Sequence, residues 1–386
     1  MILDLAFIIN ITLAIAFSCI SNLRVTQNGV LITTAGGAPF LYEIWIFCTI
    51  GVFLIKATLG KISLSKTRLH ALLGISLLYI PIFLNALLRE YTSSLFIGGG
   101  QLRLQLEALL FCLSIILGLS TNNIQRAVKF VMTAIILLAL INVVFAGLNY
   151  YGKVEPLYLK AIRESGRLRY SGLLDYPSRL GVLCAIVFSW MFVSSTKKLI
   201  KWPIILFSVA GTFYADSRTG MAAIVFSIII ASFFYVRKRV LKLGIVLLLG
   251  LAGFLLILSE PRIPFETQQG RIDRIKGALE TVAQNPFGVG WAEQRLFPHN
   301  WPIMVLLTGG VISFTAVVIY HVWLLRLLWK IKKLGLNTVS SLGIVLATIT
   351  TASYFEQVFL EAHAILIAMF LYGVLINYTS GLKFVK

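Results

Sequence analysis

Apolar residues come in runs of about bilayer length, set apart by short polar stretches. The runs lie at residues 3–20, 38–58, 69–88, 104–120, 126–150, 172–195, 199–215, 219–236, 239–258, 301–329, 338–355 and 361–379. A bilayer core takes about 20 apolar residues per helix. Each run therefore predicts a spanning helix. Together they predict an all-α polytopic membrane protein, about 12 transmembrane helices forming a single transmembrane domain over residues 1–386. Glu107 interrupts the fourth run, and Pro177 and Pro203 stand in the sixth and seventh as candidate kinks. The first run is of spanning length and carries Asp4 where a cleavable leader would be basic, so it reads as a membrane helix.

Two longer segments, 151–170 and 259–300, break this rhythm. Within the second, Ile272, Ile275, Leu279 and Val282 recur at helical spacing. They predict a short amphipathic helix over 271–284, lying on the membrane surface. The run Asn285-Pro286-Phe287-Gly288-Val289-Gly290 ends it, because Pro and Gly do not continue helices.

Composition agrees with the pattern. Apolar residues make up 58% of the chain and charged residues 13%, with a mean hydropathy of +0.90. Soluble domains carry roughly 25% charged residues, so a soluble, disordered, collagenous or disulfide-stapled protein is excluded. The four cysteines sit in or beside apolar runs and suggest no disulfide framework.

The net charge of +19 would suit a nucleic-acid partner, but its distribution argues for topology instead. With an even number of spans and both termini in the cytoplasm, the inner segments hold 14 Lys and 5 Arg, and the outer segments 3 Lys and 12 Arg. The positive-inside rule favours this orientation. The inner excess faces anionic membrane lipids, with no nucleic acid implied. Topology alone needs positive charge of either kind. Arg, however, presents a planar fork matched to phosphate oxygens. An Arg-rich outer face thus suggests phosphate or pyrophosphate recognition, and loop salt bridges to the nearby acids are the plainer account.

Three fragments could carry chemistry on that face. Asp216-Ser217-Arg218-Thr219-Gly220 stands at the mouth between the seventh and eighth runs; an Arg there is either functional or a snorkelling partner of Asp216. Gly270-Arg271, with Arg274 one turn later, opens the predicted surface helix, where N–H donors could assist in holding a diphosphate. The alternative is an ordinary solvated helix face. Gly288 and Gly290 precede Pro298-His299-Asn300, and His299 is a candidate base for a hydroxyl, or a surface His without a role. No His, Cys, Asp or Glu cluster has metal-ligand spacing and no P-loop is present, so the default mechanism uses no metal and no cofactor.

Taken in order, Ser-Arg-x-Gly at a helix start, Gly-Arg on a loop helix, Asn-Pro-Phe-Gly-x-Gly and His-Asn before a span resemble the bacterial O-antigen ligase and O-antigen polymerase superfamily. The matching core covers about residues 216–310, and Arg169-Tyr-Ser-Gly-Leu-Leu-Asp-Tyr-Pro-Ser-Arg-Leu-Gly resembles the family segment that opens an earlier span. The resemblance implies an inverting glycosyltransferase of the bacterial inner membrane, active on its periplasmic face. The donor it implies is a glycan on undecaprenyl pyrophosphate. Arg218 and Arg271 match the family's pyrophosphate-binding arginines, with Arg169, Arg179 and Arg274 as further candidates. His299 matches the residue that activates the acceptor hydroxyl, while Ser217, Gly220, Gly288, Gly290 and Asn300 complete the motifs. Thr308 stands where many members carry Glu before Gly. The acceptor is lipid A core for a ligase and a lipid-linked repeat unit for a polymerase, and the donor motifs do not separate them. A transporter or flippase of lipid-linked oligosaccharides is the alternative from another class.

Overall fold

The computed structural model describes residues 2–20, 23–26, 29–32, 41–62, 65–88, 101–153, 169–174, 176–235, 244, 265–289, 300–334, 338–355, 359 and 362–381. They form α1 (Ile2–Ser18), α2 (Leu41–Thr58), α3 (Lys66–Leu88), α4 (Gln101–Gly118), α5 (Ile124–Tyr150), α6 (Pro177–Val193), α7 (Lys198–Tyr214), α8 (Arg218–Tyr235), α9 (Phe265–Gln284), α10 (Trp301–Leu334), α11 (Thr338–Ala352) and α12 (Ala362–Gly381). Five of these helices are long and apolar enough to cross a membrane: α2, α3, α5, α10 and α12. The fold is therefore that of a helical membrane protein. Eleven of the predicted spans coincide with a helix, and the twelfth, 239–258, lies outside the described residues apart from Gly244. One small addition is an antiparallel ribbon, β1 (Leu23–Thr26) with β2 (Gly29–Ile32), which pairs Leu23 with Ile32 and Thr26 with Gly29.

Polar contacts sort the helix ends into two sets. At one end Lys56 donates to Asp4 at 2.7 Å and to the Gly118 carbonyl, tying α2 to α1 and α4. Arg68 reaches the Leu119 carbonyl, and Lys201 reaches the carbonyls of Phe192 and Ser194. At the other end, Arg103 bridges Glu43 and Glu107, and Gln105 donates to the Phe359 carbonyl. Asn142 there joins the Cys19 carbonyl to the Leu173 N–H. We call these the lysine end and the arginine end. α4 runs unbroken through Glu107 because Arg103, one turn earlier, partners its carboxylate.

The centre of the bundle is α6 and α12. α12 is 78% buried over its apolar window, and α6 is buried along most of its length. Pro177 does not kink α6. It occupies the first helical position, where the missing N–H has no partner to lose. Close approach of α6 to α8 requires two glycines. A Cβ on Gly181 would overlap the Ser217 side chain, and one on Gly220 would lie 2.7 Å from the Gly181 carbonyl.

α10 is not the single rod predicted over 301–329. Its Gly310 has φ 68° and ψ −165°, a conformation essentially confined to glycine. Trp301 and Tyr320 are 19 residues apart, about 28 Å along a straight helix. Their rings nevertheless lie 6.2 Å apart, and the Trp301 and His321 rings 6.4 Å apart. The half-helix 301–309 therefore folds back on 311–321. The remaining stretch to Lys330, about 20 residues, is itself of spanning length.

Gly310→Ala is expected to add strain of order 1–3 kcal/mol and to push a Cβ into the backbone of Pro286 and Phe287. A fall of several degrees in the unfolding temperature of detergent-purified protein would register this. Gly74→Ala, in open space, is the control and should leave stability unchanged.

Candidate functional site at the arginine end

The turn between α7 and α8 is built to present Arg218. α7 closes with paired bonds from the Ser217 N–H to the Thr212 carbonyl (3.3 Å) and from the Asp216 N–H to the Phe213 carbonyl (2.9 Å). This closure places Asp216 in the left-handed region, at φ 43°, which Asp tolerates better than most residues. Ser217 then caps α8, its Oγ accepting the Gly220 N–H at 3.1 Å. The Ser and Gly of the motif are thus cap and packing residues. Arg218 is left exposed on the first turn of α8, where the helix dipole disfavours a cation. A site for an anion would reverse that penalty.

Arg169 arrives at the same turn from another segment. The Tyr170 N–H donates to the Tyr214 carbonyl at 3.1 Å, and Arg169 Nε donates to the Ala215 carbonyl at 3.2 Å. The α7 terminus thereby gains partners for its last carbonyls, and a second guanidinium comes to rest three residues from Arg218. Gly172 makes this possible. Its φ is 65°, and a Cβ there would overlap the Asn142 carbonyl oxygen. Arg179 lies one turn into α6, half-buried, with its guanidinium 5.5 Å from the Tyr176 ring centroid.

The loop arginines are placed differently from expectation. α9 begins at Phe265, six residues before Arg271, so Gly270-Arg271 sits inside the helix and not at its opening. Backbone N–H groups there belong to the helical ladder, and the donors expected beside Arg271 are not available. Arg274 is exposed on the same helix. α9 packs against α10, and α11 stands between α10 and α8.

The segment Asn285–Pro286–Phe287–Gly288–Val289 seats itself in the reversal of α10. The Val289 N–H donates to the Leu307 carbonyl (2.8 Å), and the Val311 N–H donates to the Pro286 carbonyl (2.9 Å). Asn85 on α3 donates to both Phe287 and Thr308 carbonyls, at 2.6 and 3.0 Å. Gly288, at φ 88°, lets the two backbones approach; a Cβ would lie 2.7 Å from the Thr308 carbonyl oxygen. Thr308 is fully buried and bonds the Met304 carbonyl, so it serves the turn rather than an exposed acidic role.

Asn300 caps the half-helix. Its Oδ1 accepts the Ile303 N–H, and its Nδ2 donates to the Tyr354 carbonyl at the end of α11. The Trp301 N–H is taken by the Ser353 carbonyl and Pro302 has none, so this helix start has no first-turn donor left for an anion. Phe355 beside it meets Phe226, two turns below Arg218 on α8. His299 and Gly290 lie outside the described residues. Among the described residues no three His, Cys, Asp or Glu side chains lie together as metal ligands.

Sequence reasoning missed Asn85, Gly310 and the Arg103 bridge. Gly309-Gly310 was the available signal for the reversal and the i,i+4 spacing of Arg103 and Glu107 that for half of the bridge; Asn85 and the reach to Glu43 have no local pattern. Comparison with protein-family models and with curated proteins returns no match.

Asn85→Ala is expected to leave the Phe287 and Thr308 carbonyls without this donor and to cost roughly 1 kcal/mol. Asn85→Asp, which offers no donor, should be worse. Hydrogen exchange at the Val289 and Val311 amides should rise in both variants; unchanged protection would remove Asn85 from the clamp.

Proposed function

We propose that the chain is a metal-independent inverting glycosyltransferase of the O-antigen ligase or polymerase type. In this reading twelve spans place both termini in the cytoplasm and the arginine end on the periplasmic face of a bacterial inner membrane. The observation that carries the reading is the Arg169 guanidinium bonded to the Ala215 carbonyl, three residues before Arg218 starts α8. Guanidinium forks match phosphate oxygens, and two of them at one helix end suit a diphosphate.

The donor is a glycan on undecaprenyl pyrophosphate. Arg218 and Arg169 bind the diphosphate, with Arg179, Arg271 and Arg274 contributing to the same positive face. His299 takes the proton of the acceptor hydroxyl. The acceptor oxygen attacks the anomeric carbon from the face opposite the diphosphate, and the bond from that carbon to the phosphate oxygen breaks. The electron pair leaves with undecaprenyl pyrophosphate, whose developing charge the arginines stabilise. Lipid A core as acceptor makes the chain a ligase; a lipid-linked repeat unit makes it a polymerase.

Transport of lipid-linked oligosaccharides is the second reading. The broken α10 and the buried Glu43–Arg103–Glu107 bridge favour it, because discontinuous helices and intramembrane charges mark transporter pathways.

Protein in liposomes, supplied with a polyprenyl-pyrophosphate glycan and either acceptor, separates these readings. Release of polyprenyl pyrophosphate should require an acceptor. It should fall about a hundredfold in Arg218→Lys, which keeps charge but loses the fork, and by about 10²–10⁴ in His299→Ala. Label crossing the bilayer without covalent change would replace the transferase by a transporter.

A further inference from the structure

Four tyrosines from three segments gather beside the α7 terminus that Arg169 also bonds. Tyr150 ends α5, Tyr151 follows it, Tyr170 follows Arg169, and Tyr214 ends α7. The Tyr150 ring lies 5.1 Å from Tyr151, 5.6 Å from Tyr170 and 5.5 Å from Tyr214, edge-on to the first two and tilted to the third. The Tyr214 ring rests against Gly147, where a Cβ would lie 3.4 Å away. This arrangement leaves Tyr150 49% and Tyr151 67% exposed.

Backbone bonding fixes the cluster to the guanidinium. The bond from the Tyr170 N–H to the Tyr214 carbonyl and the Arg169 bond to Ala215 are successive rungs of one contact. Aromatic faces and cationic forks are thus held within one turn of each other. An apolar chain would want the rings but not the cations, and a free phosphate the reverse. A pyranose ring carried on a diphosphate wants both. Its C–H face stacks on an aromatic ring, its hydroxyls meet phenolic hydroxyls, and its phosphates meet the arginines.

We propose that Tyr150, Tyr151, Tyr170 and Tyr214 form a carbohydrate platform for the sugars next to the diphosphate held by Arg169 and Arg218. The proposal rests on the transferase reading and adds the residues that grip the glycan. The platform explains why the segment after Arg169 is aromatic and bonded to α7. Orientation of the first sugar would follow from stacking, with its anomeric carbon directed toward the bound phosphates.

The test uses full-length protein in nanodiscs and two probes: a short-chain prenyl diphosphate, bare or carrying a disaccharide on its terminal phosphate. Calorimetric titration is expected to show tighter binding of the glycosylated probe. Tyr151→Ala and Tyr150→Ala, both exposed positions, should weaken that probe about five- to tenfold and leave the bare probe within about twofold. Tyr151→Phe should keep most of the affinity. Arg169→Gln should weaken both probes together. Equal losses for the two probes, or no loss, would overturn the platform and leave the tyrosines as an interfacial aromatic belt. Wild type that binds the two probes equally would also overturn the platform while sparing the diphosphate site. Wild type that binds neither would overturn the transferase reading and the platform with it.

Discussion

A backbone that leaves its helix inside a membrane protein must find new partners for every freed amide and carbonyl, since lipid supplies none. α10 meets that requirement at Gly310 by borrowing another segment. The carbonyls of Leu307 and Thr308 are taken by Val289 and Asn85, and the Val311 amide by Pro286. The run Asn285 to Val289 is therefore less a loop than a plug cut to fit the break. Once it is seated, α9 on one side and the half-helix 301–309 on the other are fixed relative to α3. Asn300, at the far end of the half-helix, is thereby held against Tyr354 rather than left at a loop tip. A sequence fragment that looks like a turn signal is in this setting a hydrogen-bonding component of a neighbouring helix.

The arginine end shows the same economy on a smaller scale. Arg169 satisfies a helix C-terminus and in doing so delivers charge to the helix start that follows. Ser217 and Gly220 serve the fold first: one is a cap, the other a contact with Gly181. Their value is positional. A short closure at Asp216 followed at once by a cap leaves Arg218 no freedom in backbone direction, and only its side chain remains adaptable. The structural and chemical parts of the motif are thus divided among different residues.

The spans were legible because hydropathy and length are local properties, and eleven runs became helices. The amphipathic spacing of Ile275 and Val282 likewise forecast α9. What it could not show was where α9 begins, because Glu266 to Gln269 are all polar and carry no stripe, yet belong to the helix. The reversal of α10 was hidden for a related reason. Both of its limbs are apolar, so a window over 301–329 sees one long helix, and the Gly-Gly pair is a permission to turn rather than an instruction. Asn85 and the Arg103–Glu43 half of the bridge were illegible on principle. Their partners are 202 and 60 residues away, and no spacing rule reaches that far; only Arg103 with Glu107, four residues on, follows a helical spacing. Asp4, Lys56 and Gly118 meet in space, as do Glu43, Arg103 and Glu107.

Those two ionic groups also set a tied part of the bundle apart from the rest. α2 is pinned at the lysine end by buried Lys56 and at the arginine end by buried Glu43. Buried pairs add little net stability, but losing one partner costs about 3–5 kcal/mol, so each fixes a geometry. With α1 and α4 held to α2 in this way, this part of the bundle has little reason to rearrange. The helix break, the plug and the two arginines of the α7–α8 turn all lie beyond it, among α3 and α6–α11. A site that must keep its spacing while large molecules come and go is served by such a division. Arg169 and Arg218 obtain that spacing from the α7 terminus and the Gly181–Gly220 crossing, both continuous with the buried centre at α6. The tied helices α1, α2 and α4 therefore have less freedom than the part of the bundle where α10 doubles back.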